Sequence, residues 1–117
     1  MKKLTLPKVA LVRKGWEFDR VYRQGKRCHG DGFSLIFCGN DLGWNRLGIS
    51  INGKIKGAVK RNRIKRIIRE SFRLDREEYP PDADIVITVR PGFALDSPFA
   101  VRQAISRLLL FGDKVTS

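Results

Sequence analysis

The stretch Ala58-Val59-Lys60-Arg61-Asn62-Arg63-Ile64-Lys65-Arg66-Ile67-Ile68-Arg69-Glu70-Ser71-Phe72-Arg73-Leu74 separates into two stripes when it is wound as an α-helix. At about 100° per residue, Ile64, Ile67, Ile68, Ser71 and Phe72 fall on one arc, and Asn62, Lys65, Arg66, Arg69 and Arg73 on another. Arg61 lies at the border of the two arcs, and Arg63 and Glu70 share the remaining flank. The apolar arc needs a core to lie against, so the cationic arc faces water. Lys65, Arg69 and Arg73 form a column with no acidic interleaving, and like charges at that spacing repel by roughly a few tenths of a kcal/mol per pair. A face kept only for solubility would mix signs. Lys54, Lys56, Lys60, Arg61, Arg63, Lys65, Arg66, Arg69, Arg73 and Arg76 make 10 of the 24 Lys and Arg residues, set within residues 54–76 beside only Glu70 and Asp75. That density fits a polyphosphate partner, RNA or DNA. Asn62, in the middle of it, can both donate and accept toward a sugar hydroxyl or base edge, which Arg and Lys cannot. A lipid surface suits the helix less, because its other face reads as core rather than as an exposed apolar wedge.

The rest of the chain supplies that core. With 117 residues and 42% apolar content, it has the size and composition of one folded domain and not of a basic disordered tail. We expect a single domain over residues 1–117, with 1–13 a basic lead-in and 112–117 a tail. A net charge of +12 must then sit on the surface of a folded object, which a polyanion would relieve.

Outward from the basic helix, Asn52 to Gly57 reads as a loop carrying Lys54 and Lys56. Arg46-Leu47-Gly48-Ile49-Ser50-Ile51 alternates as a strand, with Leu47, Ile49 and Ile51 on one face and the small Gly48 and Ser50 on the other. Phe33 to Cys38 is a second strand, with Phe33, Leu35 and Phe37 opposed to Ser34, Ile36 and Cys38. The short turn-rich link between these two suggests an antiparallel pair. A further short strand is expected near Lys26 to His29. Gly15 to Gln24 is a helix with Phe18, Val21 and Tyr22 on one side, and Gly25 is expected to end it in the left-handed conformation. Asp84 to Arg90 is a β-branched strand. Ser97 caps a last helix that opens at Pro98 and is expected to stop at Gly112, with Val101, Ala104, Ile105, Leu108 and Phe111 as its core stripe. The whole is an α+β sandwich, a few-stranded sheet with packed helices.

Catalytic and metal chemistry find little support. Cys28 and Cys38 make no disulfide framework or spaced zinc pair, and they read as small residues in or near strands. His29 is the one histidine. Asp75, Glu77, Glu78, Asp82 and Asp84 read as a solvated turn, and no Gly-rich phosphate loop is present. Met1-Lys2-Lys3-Leu4 imitates the start of a signal peptide, but Pro7 and Lys8 interrupt the apolar stretch behind it, and no window approaches a membrane span. A cytoplasmic location follows as the expectation.

Four blocks carry a family resemblance: Phe18-Asp19-Arg20-Val21-Tyr22-Arg23-Gln24-Gly25-Lys26-Arg27, Arg46 to Ile51, Ala58 to Glu70, and Asp84 to Arg90. In order and spacing, over roughly residues 14–110, they resemble the protein component of bacterial ribonuclease P. The Arg61-Asn62-Arg63 block with Lys65-Arg66 and Arg69-Glu70 is the most specific. The resemblance implies an αβββαβα fold similar to domains of some ribosomal proteins, with an uncommon left-handed crossover. It also implies a subunit of an RNA-catalysed endoribonuclease. A catalytic RNA using Mg²⁺ cleaves precursor tRNA to make the mature 5′ end, and the protein, itself not catalytic, binds that RNA and the single-stranded 5′ leader. By residue matching, Lys54, Lys56, Lys60, Arg61, Asn62, Arg63, Lys65, Arg66, Arg69 and Arg73 would bind RNA, and Phe18, Tyr22, Ser34, Ile36 and Ser50 would form the leader cleft. No metal or other cofactor is expected on the protein. The expected partners are ribonuclease P RNA and precursor tRNA, with no membrane and no obligate protein partner. The chain departs from the family pattern at Gly53, where a lysine is common, and at Lys56-Gly57, which moves a glycine by one place. The alternative is a structural RNA-binding protein of the ribosomal type.

Overall fold

The computed structural model describes residues 6–116. Three helices, α1 (Gly15–Gln24), α2 (Ala58–Leu74) and α3 (Pro98–Thr116), pack on strands β1 (Lys26–His29), β2 (Phe33–Gly39), β3 (Arg46–Ile51) and β4 (Ala83–Val89). The element order is therefore the expected αβββαβα, and the sheet is mixed.

The strand order is β1-β2-β4-β3, with β1–β2 and β2–β4 antiparallel and β3–β4 parallel. The expected direct pairing of β2 with β3 does not occur. β4 lies between them, and the turn-rich link crosses over its end. The composition of β4 explains this. Ala83, Ile85, Ile87 and Val89 make one side of this strand wholly apolar, and Asp84 and Val86 on the other side are buried as well. A strand buried on both faces is most stable where neighbours saturate both edges.

One sheet face carries the main core. Leu35, Leu47, Ile85 and Ile87 pack there against Ile64, Ile68 and Phe72 of α2 and against Val101 and Ile105 of α3. The apolar arc of α2 is buried as its spacing predicts. The Tyr79 hydroxyl lies 2.8 Å from Ser71 Oγ inside this core, and burial pushes its pKa up to about 12. The Ser97 hydroxyl accepts from the Ala100 amide at 3.1 Å, the expected cap of α3. Gly112 does not stop that helix, which continues to Thr116, and Phe111 lies exposed rather than in the core stripe.

The other face is covered by α1 alone. Val21 packs on Ile36 and Val86, with Phe18 and Tyr22 at the margin. A helix of 10 residues is about 15 Å long, too short to roof the face, so Ser50 and Thr88 stay half exposed. Gly25 is extended, φ −80°, and not left-handed. It is needed for close approach, because a Cβ there would sit 2.5 Å from the Val21 carbonyl oxygen. Residues 7–12, expected as an unpatterned lead-in, are built into the edge of the sheet. The Val12 amide donates to the Leu47 carbonyl at 2.9 Å, and Trp44 Nε1 donates to the Val9 carbonyl at 2.8 Å. Residues 1–5 of the lead-in and Ser117 of the tail lie outside the described residues.

Asp84 departs most from expectation. It is no part of a solvated turn but is fully buried. Its Oδ1 accepts from Arg46 Nε at 2.7 Å and Asn40 Nδ2 at 2.9 Å, and its Oδ2 from Arg46 Nη2 at 2.6 Å and Arg20 Nη2 at 2.7 Å. Arg46 Nη1 also donates to Glu17 at 3.1 Å. Burial would raise the Asp84 pKa, but the hydrogen bonds from Arg46, Asn40 and Arg20 more than reverse it and hold the carboxyl below its usual range. Glu17 is likewise lowered: against burial act the amides of Lys14 and Arg13 and the charge of Arg46. Both folded values lie below the unfolded ones. Their stabilisation is therefore complete above about pH 5 and lost as pH falls through the depressed folded values. Asp84→Asn should destabilise the protein by about 2–4 kcal/mol in urea unfolding at neutral pH, since it removes the charge partner of Arg20 and one of the two of Arg46. The variant should also lose stability less steeply in acid. An unaltered acid limb would mean that Asp84 does not carry it.

Candidate nucleic-acid interface

Gly57, the residue before α2, has a φ of +93°, a positive value that a side chain would resist, so the chain turns sharply from the loop into the helix. Burial of Ile64, Ile68 and Phe72 then fixes the rotation of α2 and turns its cationic arc outward. Asn62, Lys65, Arg66, Arg69 and Arg73 line one hollow of about 340 Å³ with Glu70, Leu6 and Leu11. A second hollow of about 290 Å³ is lined by Phe18, Gly48, Arg13, Leu11, Lys65 and Arg69, among others. Lys65 and Arg69 thus line both. They join the face of α2 to the aromatic margin of α1 across the edge strand β3.

Gly48 makes this meeting possible. A Cβ there would lie 2.8 Å from the Phe18 ring and 3.0 Å from Val12 Cβ. The small face of β3 is where an aromatic ring from α1 comes down on the sheet. Tyr22 stands one turn further along, with ring centroids 6.4 Å from Phe18, and the Arg27 guanidinium sits 6.0 Å from its centroid. Both rings are half-buried, and the half-exposed Ser50 and Thr88 follow Gly48 and Val86 on the same sheet face.

Not every expected site residue belongs to this surface. Arg61 is committed to the fold: Nη1 donates to the carbonyls of Asn52 at 3.1 Å and Ile55 at 2.9 Å, and Nη2 to that of Ile51 at 3.4 Å. It ties the loop after β3 to α2. Arg73 is not part of an unrelieved column, because Glu70 one turn back forms an ion pair with it and is held below the usual carboxylate range by that bond. Ile36 is sealed under α1 and cannot line a cleft. Ser34 is buried as well, and its hydroxyl is engaged by His29 and Arg90. Lys54, Lys56, Lys60 and Arg63 are exposed at the loop and the N-terminal part of α2, away from both hollows.

The sequence reading missed Leu6, Leu11, Arg13 and Thr88. The first three sit in a stretch without period, and only the folded edge of β3 shows why they are there. Thr88 is hidden inside an otherwise apolar run, though its alternation with Val86 and Arg90 marks the face it shares.

A folded scaffold with a cationic helix and an adjoining aromatic groove defines a nucleic-acid-binding protein. The comparisons specify it further. The ribonuclease P family matches residues 6–110. The ribonuclease P protein component of Desulfotalea psychrophila is 61% identical over 108 residues, covering 92% of this chain and 90% of that one. The protein component of Syntrophus aciditrophicus is 46% identical over 90 residues, covering 77% and 76%. Among solved structures, a Staphylococcus aureus RNase P protein mutant with defective mRNA degradation activity superposes with a TM-score of 0.76 at 28% identity, covering 91% of this chain and 90% of that one. The RNase P protein of Thermotoga maritima gives 0.71 at 27% identity, covering 92% and 98%. The chain belongs to the ribonuclease P protein family.

The division of the arginines is testable with any single-stranded RNA. Arg66→Ala and Arg69→Ala should each flatten the salt dependence of binding by up to about one unit of slope and leave stability almost unchanged. Arg61→Ala should change the slope less and lower stability by about 1.5–3 kcal/mol in urea. Equal behaviour of the three would overturn the division.

Proposed function

We propose that this chain acts as the protein subunit of a ribonuclease P ribonucleoprotein. It holds the catalytic RNA through the outer face of α2 and receives the 5′ leader of precursor tRNA in the groove beside Phe18 and Tyr22. The supporting observation is the sharing of Lys65 and Arg69 between the two hollows. An RNA bound along α2 and a single strand passing Phe18 would be neighbours on one continuous cationic surface. Backbone phosphates need such a track, and unpaired bases need ring faces to stack on.

Cleavage is assigned to the RNA. Among the described residues, no group of three or more His, Cys, Asp or Glu is placed to hold a metal ion. Mg²⁺ would enter through the RNA subunit, where it would supply charge for folding and a nucleophile for hydrolysis. The protein's own part is electrostatic and positional. Its unpaired cations lower repulsion between ribozyme and substrate, and the groove adds affinity for precursor over mature tRNA. The described helices include none long and apolar enough to cross a membrane. The reading carries a cytoplasmic location, where tRNA is processed.

Adding the protein to ribonuclease P RNA and a precursor tRNA at low Mg²⁺ should enhance removal of the leader. Absence of enhancement would instead favour a structural role on another RNA. Phe18→Ala should weaken binding of leader-bearing precursor by roughly tenfold, the loss of one stacking contact, and spare mature tRNA. Equal losses for both would point to a folding defect.

A further inference from the structure

Ser34, the hydroxyl expected to meet RNA, is covered by two side chains that sequence matching did not single out. Arg90 Nη1 donates to Ser34 Oγ at 2.6 Å, and His29 Nδ1 lies 2.8 Å from the same oxygen. Arg90 is held in turn, since Nη2 donates to the Gly30 carbonyl at 2.8 Å and the Phe33 carbonyl at 3.2 Å. The Ser34 oxygen can accept twice, so its contact with Nδ1 fits either tautomer. The one in which the Ser34 hydroxyl donates to Nδ1 puts the ring proton on Nε2, the nitrogen turned away from Ser34, and is the form taken by the proposal below.

The register places this imidazole at the end of a polar row that crosses the sheet face carrying Phe18 and Tyr22. His29 pairs with Ser34, Ser34 with Thr88, and Thr88 with Ser50. Two residues earlier on β1, and on the same face, Arg27 lies over the Tyr22 ring. His29 is exposed on this edge strand. The polar row thus runs from Ser50 on β3, the strand beside Lys65 and Arg69, to His29 on β1. Three interstrand steps make this about 14 Å.

We propose that His29 is an RNA-contacting residue at the far end of the groove. Its outward Nε2–H and ring face engage a nucleotide of the single strand, and Ser34 and Arg90 are positioning residues that fix the ring. The inference rests on the reading of the groove as the leader site. Under that reading, nucleotides nearest the cleavage junction occupy the β3 end beside the cations of α2, and His29 meets nucleotides further out. An imidazole suits this place: it stacks with any base and donates to a phosphate or a base acceptor.

The experiment uses the full chain bound to ribonuclease P RNA, with mature tRNA and precursors carrying leaders of about two and about eight nucleotides, within the range one single-strand-binding surface covers. His29→Ala should cost about five- to tenfold in affinity for the long leader, the loss of one contact, and nothing for the short leader or mature tRNA. His29→Gln, which keeps an N–H near that position, should recover part of the loss. Ser34→Ala should give a smaller loss of the same selectivity. The chain has one histidine, so its ring nitrogen resonances are unambiguous in NMR. They should show the proton on Nε2, and Ser34→Ala should spread it over both nitrogens. An effect of His29→Ala that is absent, or equal for all three ligands, would overturn the proposal, as would a neutral ring protonated on Nδ1. Phe18→Ala run alongside separates the two levels. If the wild-type protein gains nothing from a long leader, the leader site itself is wrong. If Phe18→Ala removes that gain and His29→Ala keeps it, the leader site stands and the role of His29 falls.

Discussion

Everything on the open face of the sheet depends on the carboxylate of Asp84. Four hydrogen bonds converge on it from α1, from the end of β2 and from β3. The site is buried at the aspartate and partly open at the arginines, with Arg20 and Arg46 side chains 26% and 18% exposed. Such a geometry retains strong hydrogen bonds without the full desolvation cost of a sealed pair. α1 is short and touches the sheet through a small apolar patch centred on Val21, Ile36 and Val86. Apolar burial alone would hold that helix down without fixing its angle. The ion network fixes one end of it, through Glu17 and Arg20, and the Phe18 ring then has one place to go, above Gly48.

The opposing forces on α2 differ in size. Fully burying a side chain such as Ile68 or Phe72 contributes about 1.5–3 kcal/mol, while a like-charged neighbour on the outer face costs roughly a few tenths. The core therefore wins by close to an order of magnitude, and the chain can keep a face of uncompensated charge for a partner. The one compensation within the column, Glu70 with Arg73, lies near the C-terminal end of α2. Lys65 and Arg69, which reach the Phe18 groove, and Arg66 beside them have no acidic partner among the described residues. Cations without an acidic partner thus stand where the two hollows meet.

How far the sequence led follows from which forces are local. The two arcs of α2 were readable, because a period sets them and Ile64, Ile67, Ile68, Ser71 and Phe72 all went into the core; the internal partners of Arg61 and Arg73 were not. The small face of β3 was readable as well, but not that the Phe18 ring of α1 packs on it at Gly48. Pairing was not readable. A short link between β2 and β3 argues for neighbours, and only the two-sided burial of β4, a long-range effect, places a third strand between them. Asp84 was misread for the same reason: its acidic neighbours in sequence are solvated, while its partners lie 38 to 64 residues away. Ile36 and Ser34 were assigned to an open cleft by matching alone. They share a face with Ser50 and Thr88, but the matching does not reveal that α1 lies on Ile36 and that His29 and Arg90 lie on Ser34.

Arginine identity was the deepest ambiguity, and the structure resolves it by geometry. Arg20, Arg46, Arg61, Arg76 and Arg90 each span two or more internal acceptors, joining α1 to β4, β3 to β4, α2 to its preceding loop, the end of α2 to Asn45, and β4 to the turn after β1. A planar fork with five donors does this; a lysine, with one point of charge, does not. In a protein that must stay cationic, arginine is then a natural clamp, because it ties carbonyls and carboxylates together without removing positive charge from the whole. The net charge of +12 does not distinguish these internal clamps from Arg66 and Arg69, which stand free. Yet the two sets cooperate. The internal forks hold α1, β3 and α2 in one frame, and that frame lets the free cations and the two rings face a nucleic acid without first being ordered by it.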